Sequence, residues 1–206
     1  MNYVDERIAL LEREYRKQKK EAAATETEEE NQDGQCGMTL EEMLEAVRAG
    51  SVMLPSGKGH SFETRSYFEE QIPMVLIKNF FAAVKEEPNG VVFVNHDLGL
   101  CQLLVGTDQE TEKMGIGKWR KQIEDGMSTA GGYAEVAKEI VLENLDYITF
   151  RSPTKKGWIY NLVFRIHHGT SQYFGNYNCF EKDQGTYGLM LEAMVLRLNE
   201  LLSGSS

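Results

Sequence analysis

The sequence predicts an α+β domain: an antiparallel β-sheet of about six strands packed against helices, with an extra N-terminal helix ahead of it. Three observations support that class. Residues 145 to 202 read as three strands in succession followed by one long amphipathic helix. Residues 80 to 106 carry two tight-turn signals that fold them as a meander. Runs of strands and runs of helices are segregated along the chain, which favours an antiparallel sheet over a doubly wound parallel one.

Taken in order, Val4, Ile8, Leu11 and Tyr15 recur at heptad-like spacing on an otherwise charged stretch. Alanine, lysine and glutamate there favour helix, and the acidic block Glu26–Glu30 repels itself into a linker. Residues 1–37 are expected to form this charged helix and linker, and residues 38–202 the globular domain. Thr39-Leu40-Glu41-Glu42 is a capping box that opens a short helix through Leu44 and Val47, stopped by Gly50. Ser51 to His60 is turn-rich, and Ser61–Tyr67 and Val75–Ile77 are short strands. Phe80–Lys85 leads to Asn89-Gly90, the strongest short hairpin signal, and then to Val91–Asn95. After the turn Asp97-Leu98-Gly99, the strand Leu100–Gly106 closes the meander.

Thr107–Ser128 reads as helical, with Met114, Ile116, Trp119 and Ile123 on its apolar side. Tyr133, Val136, Ala137, Ile140 and Val141 repeat a helical spacing, so Tyr133–Asn144 is expected to be a second helix there. Leu145–Arg151, Trp158–His167 and Ser171–Glu181 are the three strands. Tyr187, Met190, Leu191, Met194, Leu198 and Leu201 mark the final helix, and residues 203–206 are expected to be a disordered tail.

Composition narrows the function classes. The 206 residues are 41% hydrophobic, enough for one sizeable core. A net charge of −10 opposes nucleic-acid binding, which needs clustered Lys and Arg, and opposes docking on an anionic membrane. No apolar run approaches the ~20 residues of a membrane span, and the N-terminus lacks a signal-peptide pattern. A cytoplasmic chain is expected. Cys36, Cys101 and Cys179 are far apart and odd in number, with no C-x-x-C that would signal zinc or a redox pair.

Candidate chemistry is sparse. His167-His168 are adjacent, and neighbours on a strand point to opposite faces, so no metal site is expected. Gly115-Ile116-Gly117-Lys118 lacks the full phosphate-loop pattern. His60 and His96 lie near turns, and His96-Asp97 resembles part of a charge-relay pair, yet no Gly-x-Ser-x-Gly elbow accompanies them. No catalytic residues and no cofactor are assigned.

Binding surfaces are better marked. On the strand 158–167, Trp158, Tyr160, Leu162, Phe164 and Ile166 share one face by period two, and Ile159, Asn161, Val163, Arg165 and His167 share the other. With Asn176 and Asn178 of the next strand, Asn161 and Arg165 are expected to form an exposed, half-polar recognition face. The stripe Val4, Ile8, Leu11 and Tyr15 is a second candidate partner surface.

The hairpin Val91-Val92-Phe93-Val94-Asn95-His96-Asp97 into Leu100-Cys101-Gln102-Leu103-Leu104-Val105, the helical middle, and the last three strands with their closing helix resemble the PsbP-like fold. That fold is shared by the extrinsic photosystem subunit, the Ran-binding Mog proteins and the bacterial DcrB-like domains. The resemblance covers residues 60 to 202 and is one of pattern. No motif matches residue by residue, so it transfers no binding residue. It implies an αβα sandwich without a shared active site, in families whose members bind other proteins, some DcrB-like ones as chaperones of secreted effectors. The function expected is a non-enzymatic protein-binding domain, in its concrete form a chaperone or adaptor associated with bacterial secretion. The alternatives are a small hydrolase or ligand-binding protein using His60 or His96, and a structural subunit that dimerises through the N-terminal helix.

Overall fold

The computed structural model of the chain describes residues 37–69, 71–107, 114–168 and 171–204. The expected N-terminal helix with Val4, Ile8, Leu11 and Tyr15, and its acidic linker, lie outside these residues. Contacts divide the chain into Met1–Gln35 and Cys36–Ser206, and the described residues all belong to the second unit.

Its first helix, α1, spans Leu40–Ala49. Both arms of the capping box form: the Glu42 amide donates to Thr39 Oγ1 at 3.2 Å, and the Thr39 amide donates to Glu42 Oε2 at 2.7 Å. Gly50 ends the helix at φ 84°, a left-handed conformation that glycine adopts without a Cβ penalty. Three strands follow, β1 (Ser51–Met53), β2 (Gly59–Tyr67) and β3 (Ile72–Ile77), as an antiparallel sheet of their own.

The second sheet has seven strands. The meander β4 (Ala83–Glu87), β5 (Gly90–Asn95) and β6 (Leu100–Thr107) is followed by helix α2 (Ile116–Thr129). Then come β7 (Glu135–Val141), β8 (Leu145–Thr154), β9 (Gly157–His168) and β10 (Ser171–Phe180). The spatial order is β4-β5-β6-β10-β9-β8-β7, so two meanders join where β6 meets β10, with Phe174 opposite Val105. A 3₁₀ turn (Glu181–Asp183) and a π-helical turn (Gln184–Gly188) lead into helix α3 (Leu189–Ser203).

The structure bears out the α+β class and the antiparallel sheet, and corrects four details. The described residues form ten strands in two sheets rather than about six in one. Residues 133–144 are not a helix but hold β7, which carries a bulge between Val136 and Lys138. That bulge reverses the strand's phase. Val136 pairs with Phe150 and packs beside Trp119, whereas Ile140 pairs with Tyr147 and packs into the main core. Apolar residues four apart on a bulged strand imitate a helical spacing. β8 runs past its expected end at Arg151 through Ser152, Pro153 and Thr154. Ser203 is helical, and its hydroxyl accepts from Asn144 Nδ2 at 2.7 Å, so the final residues of α3 are held rather than frayed.

The two faces of the large sheet are covered unequally. The front face carries Leu104, Tyr160, Leu162, Phe164, Ile166, Tyr173 and Tyr177 in the main core, with α1, α3 and the small sheet. Met190, Leu191, Met194, Val195 and Leu198 line one side of α3 there, and Glu192 and Ala193 are buried as well. A smaller cluster lies on the back face, where α2 sets Trp119 against Ile148 and Phe150. With helices on both sides, β8 loses the alternation of a half-exposed strand: Leu145 to Phe150 are all buried.

Candidate functional site

The back face has an apolar surface that α2 does not cover. Period-two geometry turns Val92 and Val94 of β5, Leu103 and Val105 of β6, and Phe174 of β10 to this side, and all five remain half-buried. On α2, Trp119 and Ile123 stand four residues apart on one helical face. Where helix and sheet diverge they leave a cavity of ≈ 220 Å³. Leu103, Val105, Trp119, Ile123, Val163 and Phe174 form most of its wall, and Asn176 is the one polar side chain in it. Asn176 Oδ1 is buried and has no hydrogen-bond partner among the described residues.

Beneath Trp119 lies the strongest charge cluster of this face. Arg165 donates through Nε at 2.9 Å and through Nη2 at 2.6 Å to Asp146 Oδ2. The guanidinium carbon sits 4.8 Å from the Trp119 ring centre, a cation–π contact. His167 Nε2 is 3.3 Å from the same carboxylate oxygen, at the solvent edge. The pairing matters because two charges buried at this depth are tolerated only with each other and with hydrogen bonds.

This corrects the expected recognition face. Arg165 and Asn161 do share the back face, but each is only 8% exposed. Trp119 covers Arg165, and Asn161 donates to Ser152 Oγ at 3.1 Å and to the Ile159 carbonyl at 3.2 Å. Asn176 and Asn178 are half-buried, with Asn176 in the cavity wall. The accessible part of the face is therefore apolar and displaced toward β5 and β6. Sequence reasoning missed Leu103, Val105 and Phe174 as site residues. Their alternation was legible, but not the pairing of β6 with β10 that brings them together.

The two candidate histidines, His60 and His96, are not brought together with an acid among the described residues. His60 is buried in an aromatic nest, edge-on to Phe80 at 5.4 Å and to Tyr187 at 5.7 Å, with Nε2 3.4 Å from the Tyr187 hydroxyl. Lys58 donates to that hydroxyl at 3.0 Å. Burial, with the Lys58 charge adding to it, holds His60 below its ordinary value of 6.5. His96 is exposed in the β5–β6 turn. Gly115 to Lys118 form the N-terminus of α2. Burial pushes the Cys179 thiol up to about 12, which makes it an inert core group. No cluster of three or more metal-ligating side chains occurs among the described residues.

The His60 environment yields a prediction. As pH falls below about 6.5, the unfolded chain takes up this proton before the folded protein does. Stability contributed by neutral, packed His60 is present above that value and lost as pH falls toward the depressed folded value. Urea unfolding at pH 7.5 and pH 5 is expected to show a smaller acid loss in His60→Leu than in the native chain. Equal losses would count against the assignment.

These elements define a PsbP-like α+β domain: a central antiparallel sheet with helices on both faces. The structure is similar to the solution structure of cyanobacterial PsbP (CyanoP) from Synechocystis sp. PCC 6803, with a TM-score of 0.50, 10% identity, and coverage of 70% of this chain and 90% of that one. At that identity the likeness concerns the fold alone. No protein-family model matches the chain, and no curated protein matches it either. No described helix is long and apolar enough to cross a membrane.

Proposed function

We propose that the chain is a non-catalytic protein-binding domain that buries an apolar segment of a partner protein on the β5–β6–β10 part of the back face. One observation carries this reading: Val92, Val94, Leu103, Val105 and Phe174 form a continuous apolar surface that stays half-buried beside the short helix α2. A contiguous apolar face on a chain of net charge −10 is the part of the molecule with most to gain by association. The charged side chains of the edge strand β4, Lys85 and Glu87, pair with each other at 2.6 Å and blunt edge-to-edge pairing, which leaves the face as the contact surface. The narrower form, a chaperone or adaptor associated with bacterial secretion, rests on analogy with the DcrB-like members of the fold.

The test is affinity isolation from the source cells with the full chain, Val92→Lys, Val94→Lys and the control Val141→Lys. Val141 is 64% exposed on β7, away from β5. A protein captured by the native chain and the control, and lost at least tenfold in both β5 variants, is the expected result. Sedimentation of the same samples tests whether that protein is a second copy of the chain. Capture that both β5 variants retain would move function off this face.

A further inference from the structure

We propose that helix α2 is a latched lid. It detaches and melts while the rest of the domain stays folded, and Trp119 is the latch. The device gives the back face a second state and stands whether or not that face docks a partner.

Local sequence makes α2 a weak helix. Its fourteen residues include Gly117 and Gly126, each of which lowers helix stability relative to alanine. Gly115 at the N-cap makes no side-chain hydrogen bond, no acidic residue occupies the first turn and no basic residue the last. The first amides therefore lack a cap, and the helix dipole lacks compensating charges. A helix of this length is marginal in water by itself, so packing has to hold it.

That packing has one centre. Trp119 is the one buried residue of α2, set against Ile148 and Phe150 of β8, while Ile116 and Ile123 are half-buried. Helix α3, by contrast, buries residues along its whole length, from Met190 to Leu202. The Trp119 ring also takes the Arg165 guanidinium at 4.8 Å. Arg120 pairs with Glu139 at 3.0 Å, but both partners reach solvent, and such pairs contribute little. Beyond the helix Gly131 turns the chain at φ 79°, and a Cβ there would meet nothing within 4 Å, so this junction is unpacked. Few buried contacts on a short, weak element mark a segment that opens more readily than the whole domain. Opening uncovers Ile148, Phe150 and Val163. Register makes Val163 the neighbour of Asn176, and Asn176 the neighbour of Leu103. The uncovered residues thus join the apolar surface of β5, β6 and β10. The lid sets how much apolar sheet the back face presents.

The experiment is native-state hydrogen exchange of the full-length protein, read amide by amide by NMR across low urea concentrations. The amides of Arg120 to Met127 are expected to share one opening equilibrium. Its population should exceed by at least about tenfold that of the opening which exposes Leu162 and Phe164 of β9. It should also rise with urea, because apolar surface is exposed. Trp119→Ala is expected to raise the population at least about tenfold, and Trp119→Leu serves if that variant does not fold. Gly126→Ala, whose added Cβ meets nothing within 4 Å, is expected to lower it about fivefold. Exchange of α2 only together with β9 would overturn the lid. So would protection graded inward from the helix ends, no dependence on urea, or an opening unchanged in a folded Trp119 variant or in Gly126→Ala.

Discussion

Gly175→Ala is expected to destabilise the protein by about 3 kcal/mol, the upper range for overpacking a tight core. Gly175 lies on β10 directly opposite Phe164 of β9, with which it is registered across the ladder. A Cβ built there would fall 1.9 Å from Phe164 Cζ. The clash involves Cζ, Cε1 and Cε2 of that ring. The ring is fully buried and held edge-on by Tyr177 at a centroid distance of 4.9 Å. Elsewhere in a strand, alanine is the better residue, so the sign of the effect comes wholly from this contact. Urea unfolding should show a lower midpoint with an unchanged slope. Adding Phe164→Leu should recover part of the loss, making the pair less damaging than the sum of the singles. A Gly175→Ala midpoint within error of the native chain would remove the argument.

The second large effect concerns Glu192, buried on α3. Its side chain is 6% exposed, while that of its partner Lys138 on β7 is 48% exposed. Lys138 donates to both carboxylate oxygens at 2.8 Å, and the Tyr147 hydroxyl donates to Oε1 at 2.8 Å. Desolvation and this neighbouring carboxylate push the Tyr147 phenol well above its ordinary value. The two halves of the ion pair are unequal. Lys138→Met leaves a buried carboxylate with one neutral donor and is expected to cost about 3 kcal/mol. Glu192→Met lets Lys138 turn into water and strands only the Tyr147 hydroxyl, at about 1 kcal/mol. Unfolding midpoints of the two variants measure the difference. Equal losses would mean that the pair behaves as an ordinary surface ion pair.

The legibility of the sequence followed the range of the interactions. The Thr39–Glu42 capping box and Gly50 were readable because each partner lies within a few residues of the other. The Asn89-Gly90 hairpin and the three strands after Leu145 were readable for the same reason, turn chemistry and period two being local. The helical reading of Tyr133–Asn144 went wrong at a single bulged residue, which no local propensity marks. The candidate site divided in the same way. Asn161, Arg165, Asn176 and Asn178 were correctly set on one face by alternation. The burial of Arg165 was not legible, because it depends on Trp119, some forty residues earlier in the chain.

By itself the sequence determined the class of the domain, most of its strands and the side of each strand that is apolar. These follow from backbone sterics and from the two periodicities of helix and strand. Only the tertiary structure decided that β6 joins β10 and that the first three strands form a separate sheet. It also decided that α2 reaches only part of the back face. Those outcomes depend on which buried surfaces find each other across long stretches of chain, a choice settled by packing. The cavity between Trp119 and Phe174 arises from that choice, and no stretch of sequence contains it.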